Sequence, residues 1–233
     1  MKIMKFLSTG LAFTLLITAG CGGEDGDTGG NSGLITEETA VQLAVQMMSY
    51  KDFQTSLING KNIGSGTKSS TSQTKVAVQY DCPVSGSYTF DSVTGNWVFT
   101  DCNDGYSITN GSTSISTTDT VTSTTSNLTS SFGGILIDIA FTGSVDSSPN
   151  GAYDFDIDMS FITSAGSLTI VTDPAFSGTG TNPPTSGTMT ISAPGNSKIL
   201  ITAFSSYMEV KADADGDGFY EFTTQVDWAT AGY

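Results

Sequence analysis

The sequence predicts a mainly β protein: an antiparallel meander curled into a barrel, a half-barrel or a sandwich, with one N-terminal helix packed on it. Three observations carry that expectation. From Lys75 onward apolar residues recur at every second position, clusters of Gly, Pro and Asn interrupt the runs at short intervals, and one stretch alone repeats its apolar residues at helical spacing. Alternate side chains of a strand point to opposite faces, so such alternation gives one packed face and one wet face.

The helix comes first. Thr36 stands at the N-cap position, Glu37 and Glu38 fill the first turn, where the helix dipole favours acids, and Val41, Ala44, Val45, Met48 and Phe53 form an apolar stripe. The spacing predicts a helix from about Glu37 to Leu57, stopped by Asn59-Gly60. Asn62 to Thr74 is a Gly/Ser/Thr linker.

The strands follow. Val76, Val78 and Tyr80 alternate with polar neighbours, as do Tyr88 and Phe90, and then Trp97 and Phe99 after the turn Thr94-Gly95-Asn96. The tract from Ser112 to Ser131 reads mostly as exposed strand, because Thr is a good strand former and Ile115 and Val121 keep the rhythm. Ile135, Ile137, Ile139 and Phe141 line one face of a strand opened by Gly133-Gly134, and Tyr153, Phe155, Ile157, Met159 and Phe161 line one face of another. The last run places Tyr220, Phe222, Thr224, Val226 and Trp228 on one side. Asn110-Gly111, Pro149-Asn150-Gly151, Ala165-Gly166 and Pro194-Gly195-Asn196 read as turns. About a dozen strands in one flat sheet would leave a large apolar face and two open edges, so the sheet must curl into a barrel or half-barrel or fold into a sandwich, whose concave side the helix could then fill or cover.

Charge and composition exclude several functions. All eight basic residues are lysines, and the chain has no arginine and no histidine. Histidine general bases, Ser-His-Asp triads, histidine metal sites and arginine phosphate clamps are therefore ruled out. From Cys21 on, six lysines stand against 23 acidic residues, a formal charge of −17. A polyanion needs a basic footprint, so nucleic acid is not a partner.

The N-terminus has the three regions of an export signal: Lys2 and Lys5, the apolar run Phe6 to Ile17, and Thr18-Ala19-Gly20 before Cys21. The apolar run is about 12 residues, roughly 18 Å as a helix, too short for a hydrocarbon core of about 30 Å. Ile17-Thr18-Ala19-Gly20-Cys21 resembles the lipobox of bacterial lipoproteins, in which the cysteine is acylated after cleavage; Thr18 stands where that pattern usually has Leu. The resemblance implies a signal peptide over 1–20, a lipidated Cys21 with a flexible tether over 21–35, and a single β-rich domain with its N-terminal helix over 36–233. Gly22 to Leu34 is a Gly, Asp and Ser tract spanning roughly 20 Å on average. Gly22 is not the Asp that resembles an inner-membrane retention signal, which points to the outer membrane if the host is diderm.

Removing Cys21 leaves Cys82 and Cys102, an even pair in an exported chain and a predicted disulfide. Strands flanking one intervening strand lie about 9.6 Å apart, whereas a disulfide needs Cα atoms within about 7 Å. The bridge must therefore join segments beyond the strand ends, or the three strands are not a simple meander.

The sharpest local motif is Asp213-Ala-Asp215-Gly-Asp217-Gly218-Phe-Tyr-Glu221, which resembles the opening of a calcium loop of EF-hand or dockerin type. The resemblance implies Asp213, Asp215 and Asp217 as ligands, joined by the Phe219 carbonyl and Glu221. Position twelve is Thr224 rather than the bidentate Glu, and the flanks read as strands, so this is no EF-hand. Two readings stay open: a hairpin loop that holds Ca²⁺, and an acidic solvated turn. Asp154, Asp156 and Asp158 form a ladder on a wet face, read as protection against edge-to-edge association, with a second calcium site helped by Asp138 or Asp173 as the alternative. Trp97 and Trp228 fall on the apolar alternation and read as core.

The Cys-flanked β region and the closing Asp-Gly-Asp-Gly-x-x-Glu…Asp-Trp are similar to β-rich bacterial envelope lipoproteins of uncharacterised activity. The expected function is that of a non-catalytic envelope lipoprotein. Its β-rich domain binds an apolar small molecule or an envelope protein, by loose analogy with lipoprotein carriers of the Lol type, and its lipid anchor attaches it to the membrane. The alternatives are a structural or adhesive surface module with no cavity and, more remotely, a glycoside hydrolase using two carboxylates.

Overall fold

The computed structural model describes residues 35–48, 77–105, 107–118, 120–132, 135–147, 151–163 and 166–233. Their strands form one antiparallel sheet of 13 strands, whose path never pairs its first strand with its last. The sheet is therefore open, which leaves the half-barrel and folded-sheet forms of the expected meander and removes the closed barrel.

Strands β1 (Val78–Asp81), β2 (Ser85–Asp91), β3 (Asn96–Asn103), β4 (Ile108–Thr118), β5 (Val121–Phe132), β6 (Ile135–Ser147), β7 (Ala152–Thr163) and β8 (Gly166–Thr172) each pair with the strand before them. β10 (Thr188–Ser192), β11 (Lys198–Ala203), β12 (Tyr207–Asp213) and β13 (Phe222–Asp227) continue the order on the free side of β8. β9 (Phe176–Thr179) alone leaves the path and pairs with the start of β7. On the edge away from β6, β7 thus serves two partners, β9 along Ala152–Phe155 and β8 along Asp158–Thr163. At the junction the Thr172 hydroxyl replaces the missing ladder, donating to the Ile157 carbonyl at 2.9 Å and accepting the Ile157 N–H at 3.2 Å.

Register aligns one face across the whole sheet. The row Phe90, Trp97, Thr113, Ser126, Phe141, Met159, Ile170, Ile191, Ile199, Ala212, Phe222 crosses every strand of the main path from β2 to β13 without a charged residue. This inner face is apolar from β6 onward, and Ile157, Ile170, Met189, Ile191, Ile199, Ile201 and Met208 are fully buried there. Each such side chain contributes about 1.5–3 kcal/mol relative to exposure.

Helix α1 (Glu37–Met48) covers the inner face at β12 and β13 and meets the 3₁₀ turn Trp228–Ala231. Thr36 caps it as expected: its hydroxyl accepts the Thr39 N–H at 3.2 Å, and the Thr39 hydroxyl accepts the Thr36 N–H at 2.8 Å. That is a reciprocal capping box with Thr in the place of Glu. The buried stripe is Ala40, Leu43, Ala44, Met47 and Met48, with Val41 and Val45 at its margin, so its centre is rotated from the expected one. The continuation to Leu57 with Phe53, the Asn59-Gly60 stop and the linker lie outside the described residues.

Three other expectations need correction. Asn110-Gly111 is not a turn but lies inside β4. The hydroxyl tract is strand, but its inner side over β5 is not exposed: Thr122, Thr124, Ser126 and Ser130 are buried, and Ser126 pairs across strands with Thr113 at 3.0 Å. The last strand is shorter than its alternation suggested. Tyr220 precedes it, and Trp228 follows it in a 3₁₀ turn, buried, with its indole N–H on the Phe204 carbonyl at 2.8 Å.

The Cys82–Cys102 disulfide closes the first hairpins, with a Cα–Cα distance of 5.4 Å. Cys82 has already left β1, and β3 bulges before Cys102, where Asp101 takes a φ of 46°. Both changes bring the ends together across β2, where Gly86 intervenes. A Cβ at Gly86 would fall on the Asp101 carbonyl oxygen. The Asn110 side chain fixes the bulge, accepting the Asp101 N–H at 2.8 Å and donating to its carboxylate at 3.0 Å. The Asn-Gly pair that looked like a turn is a bulge clamp, with Gly111 letting the β5 backbone approach. Cys82 and Cys102 lie with Phe99 and Leu128 in a small core that meets the large one under α1 through the half-buried Ile139.

Candidate functional site

Two features of the described residues have the chemistry of a site. The first is the β12–β13 loop. Asp213 ends β12 on the outer side and is 2% exposed, whereas Asp215, Asp217 and Glu221 are exposed. One carboxylate oxygen from each of the four lies within 4.8 Å of the others, an arrangement that could hold a metal ion. The expected ligands Asp213, Asp215, Asp217 and Glu221 are thus brought together. Phe219 sits in the same loop with its side chain exposed and its N–H donated to Asp217 at 2.8 Å.

Backbone geometry explains how four acids share this space. Asp213 accepts the Gly216 N–H at 2.7 Å and the Gly218 N–H at 3.1 Å, Asp215 accepts the Asp217 N–H at 3.0 Å, and Glu221 accepts the Ala214 N–H at 2.6 Å. Each donor offsets part of the mutual repulsion, and each carboxylate keeps lone pairs for a cation. Gly216 (φ 77°) turns so tightly against the β10–β11 turn Pro194–Asn196 that a Cβ would fall on the Gly195 carbonyl. The loop is therefore docked on the neighbouring hairpin.

The second feature is the aromatic end of the inner face. Tyr80 stacks on Tyr88 with centroids 5.1 Å apart, Phe90 stacks on Trp97 at 4.3 Å, and Tyr88 also meets Trp97 at 5.6 Å. Unlike the surface under α1, this strip is open: Val78 is 49% and Tyr80 39% exposed, and Tyr88, Phe90 and Trp97 are half-buried. Burial pushes the Tyr88 phenol above its ordinary range, and neighbouring Tyr80 adds to the rise. The alternation at these positions was legible in sequence, but it signals core equally well, so the strip was not singled out. Trp97 is only partly the core residue expected.

The Asp154, Asp156, Asp158 ladder lies on the outer face of β7 and does not converge into a cluster. Asp154 accepts the Ser177 hydroxyl, Asp158 accepts the Thr172 N–H at 3.4 Å, and Asp138 accepts the Thr129 hydroxyl at 2.8 Å. Asp146, directly opposite Asp154, has a buried Oδ1 with no hydrogen-bond partner among the described residues. Burial raises the Asp156 carboxyl above the usual carboxylate range, and Asp158 and Asp173 push the same way, against a backbone hydrogen bond at Ile157. Cys21 lies outside the described residues. Comparison with models of known protein families, with characterised proteins and with solved structures finds no match.

Proposed function

We propose that this chain is a non-catalytic, lipid-anchored protein of the cell envelope whose β-rich domain binds a ligand or partner on its inner face. One observation carries the reading. Among the described residues the inner face has no charged side chain along its register rows, and at Val78, Tyr80, Tyr88, Phe90 and Trp97 it stays partly open to solvent, although Phe99 beside them is buried. A monomeric domain normally buries such a face, so an open aromatic stretch is a binding surface by default. The anchor rests on the lipobox-like run ending at Cys21, and the outer membrane on Gly22. Metabolic labelling with a fatty-acid analogue should mark the wild type and not Cys21→Ser; equal labelling of both refutes the anchor. A lipid extract and mass spectrum of the protein folded in its own compartment should show a co-purifying small molecule. The structural or adhesive module has support of its own in the filled core under α1, and a clean extract favours it.

The acidic loop is proposed as a weak calcium site. The hairpin lacks a bidentate twelfth ligand, which places affinity at roughly 10⁻⁴–10⁻³ M, the range of extracellular modules. At ten times such a dissociation constant, binding stabilises the fold by about 1.4 kcal/mol. Calcium, but not magnesium, should raise the melting temperature of the wild type and not of Asp215→Ala. A melting temperature unmoved by chelator across millimolar calcium reduces the loop to an acidic turn.

A further inference from the structure

We infer that one end of the sheet, the end at which α1 begins, seats on a zwitterionic phospholipid interface. The inference rests on the reading of Cys21 as a lipid anchor and adds the surface that the anchored domain turns to the bilayer. In a meander every second turn falls at the same end, so β1–β2, β3–β4, β5–β6, β7–β8, β10–β11 and β12–β13 all turn at one end. Six of the twelve large apolar side chains exposed among the described residues stand there. Val84 lies in the first of these turns, Ile108 opens β4, Leu136 is second in β6, Ile162 is second to last in β7, and Phe219 and Tyr220 lie in the last loop. Ile108 and Leu136 flank Ser131 in one register row, and Phe219 is 75% exposed, the most of the twelve. The opposite end has four, three of them valines, and the fourth, Phe204, stacks on Tyr207 with centroids 4.9 Å apart.

What faces this end follows from where the chain enters. Ile35 is buried in the large core, next to the Thr36 cap. Glu37 bonds the Thr224 hydroxyl, two residues past the start of β13, and the Tyr233 hydroxyl donates to the Met48 carbonyl at 3.2 Å, beyond the far end of β13. Helix α1 thus runs alongside β13, with its N-terminus at the end that carries the β12–β13 loop. Cys21 lies 14 residues before Ile35. A Gly-rich chain of that length spans roughly 20 Å on average. β6, at 13 residues, is about 43 Å long, so the opposite end is held about twice that span farther off. Anchoring therefore raises the local concentration of lipid at the near rim, where apolar side chains gain by entering the interfacial layer. Asp104, Asp215, Asp217 and Glu221 share this rim, and like charge keeps it from an anionic surface. A zwitterionic interface carries no such repulsion.

The test uses the full lipidated chain in phosphatidylcholine vesicles that contain a nitroxide-labelled phosphatidylcholine. One fluorescent thiol probe is placed on Leu136→Cys at the rim and, in a separate protein, on Val93→Cys at the opposite end, so that the dye's own affinity for lipid cancels. The Leu136 probe should be quenched severalfold more strongly than the Val93 probe, and Phe219→Ser/Tyr220→Ser, at exposed positions that need no repacking, should lose most of that difference. Phosphatidylglycerol mixed into the vesicles should reduce the quenching at Leu136; quenching that rises instead overturns the zwitterionic class. Equal quenching of the two probes in protein that floats with the vesicles, or a difference unchanged by Phe219→Ser/Tyr220→Ser, overturns the inference and leaves the anchor. Protein that fails to float refutes the anchor and the inference with it. A concentration-dependent dimer of Cys21→Ser protein that Phe219→Ser/Tyr220→Ser abolishes, with no quenching at Leu136 in the lipidated chain, assigns the rim to a second copy and also overturns the inference.

Discussion

Replacing both Cys82 and Cys102 by Ser should unfasten one end of the sheet and leave the other nearly intact. The bridge spans a sequence separation of 20. On the chain-entropy account, a loop of that size removes about 3 kcal/mol from the unfolded ensemble. At roughly 2–4 °C per kcal/mol for a domain of this length, a global loss would lower the midpoint by about 6–12 °C. The structure argues that the loss is local. β1 is a four-residue edge strand, exposed throughout, and the core around the bridge has only Phe99 and Leu128 besides the cysteines. The larger core, with α1 and the fully buried row from Ile157 to Met208, shares no fully buried residue with it, and among the described residues only the half-buried Ile139 packs against both. Two tryptophans report the two regions separately, Trp97 beside the small core and Trp228 inside the large one. The assay is thermal unfolding by fluorescence of the Cys82→Ser/Cys102→Ser protein against wild type, in Trp97→Phe and Trp228→Phe backgrounds. The Trp97 transition, which belongs to a smaller unit that shifts by roughly 4–8 °C per kcal/mol, should fall by about 12–24 °C while the Trp228 transition moves by a small fraction of that. Equal displacement of both transitions would refute the division into two cores, and displacement of neither would refute the stabilising role of the bridge.

Three further outcomes follow from single side chains. Gly111→Ala places a Cβ on the Asn127 carbonyl at a φ of 113° and should cost at least about 1 kcal/mol in urea unfolding, whereas a true turn position would tolerate it better. Ile199→Ala empties a fully buried position of the inner row and should cost about 2–5 kcal/mol; less than 1 kcal/mol would mean the sheet collapses to fill the space. Asp156 has a carboxyl pKa raised above its unfolded value of about 3.9, so its protonated form favours the fold. The resulting stability is fully present below about pH 3.9 and is lost as pH rises through the folded value. Asp156→Asn should therefore flatten the decline above pH 4 and melt higher than wild type at pH 7; a steeper decline in the variant would show the sign to be wrong.

Strand content, order of elements and helix cap were legible because each depends on residues close in sequence. Thr36 with Glu37 and Glu38 specifies a helix start, and the alternation of Tyr153 to Phe161 specifies a strand, whatever lies elsewhere. The acidic loop was legible for the same reason, since Asp213 to Glu221 need only a tight turn to meet. Readings failed where meaning depended on a distant partner. Asn110-Gly111 has the dihedral freedom of a turn, but its use is set by the Asp101 bulge across a strand boundary. The hydroxyl tract looked solvated because Ser and Thr carry no mark of which side of a sheet will be covered. The aromatic strip could not be told from core, because alternation records that a face is apolar and not whether anything lies on it.

The docking of α1 is the closure that topology makes slowest to reach. Almost every pairing in the sheet joins strands adjacent in sequence, so the meander can zip by short closures that take little loop entropy. The helix is the exception. Glu37 bonds the Thr224 hydroxyl across 187 residues, and the Tyr233 hydroxyl donates to the Met48 carbonyl at 3.2 Å. The first element of the domain thus finds its seat only after its last strand has formed. A sheet without its helix would expose Met208, Val210 and Val226, which are buried in the folded domain, and such exposure favours aggregation. Mutations that slow that arrival, such as loss of the Thr36 cap, should raise aggregation during refolding more than they lower equilibrium stability.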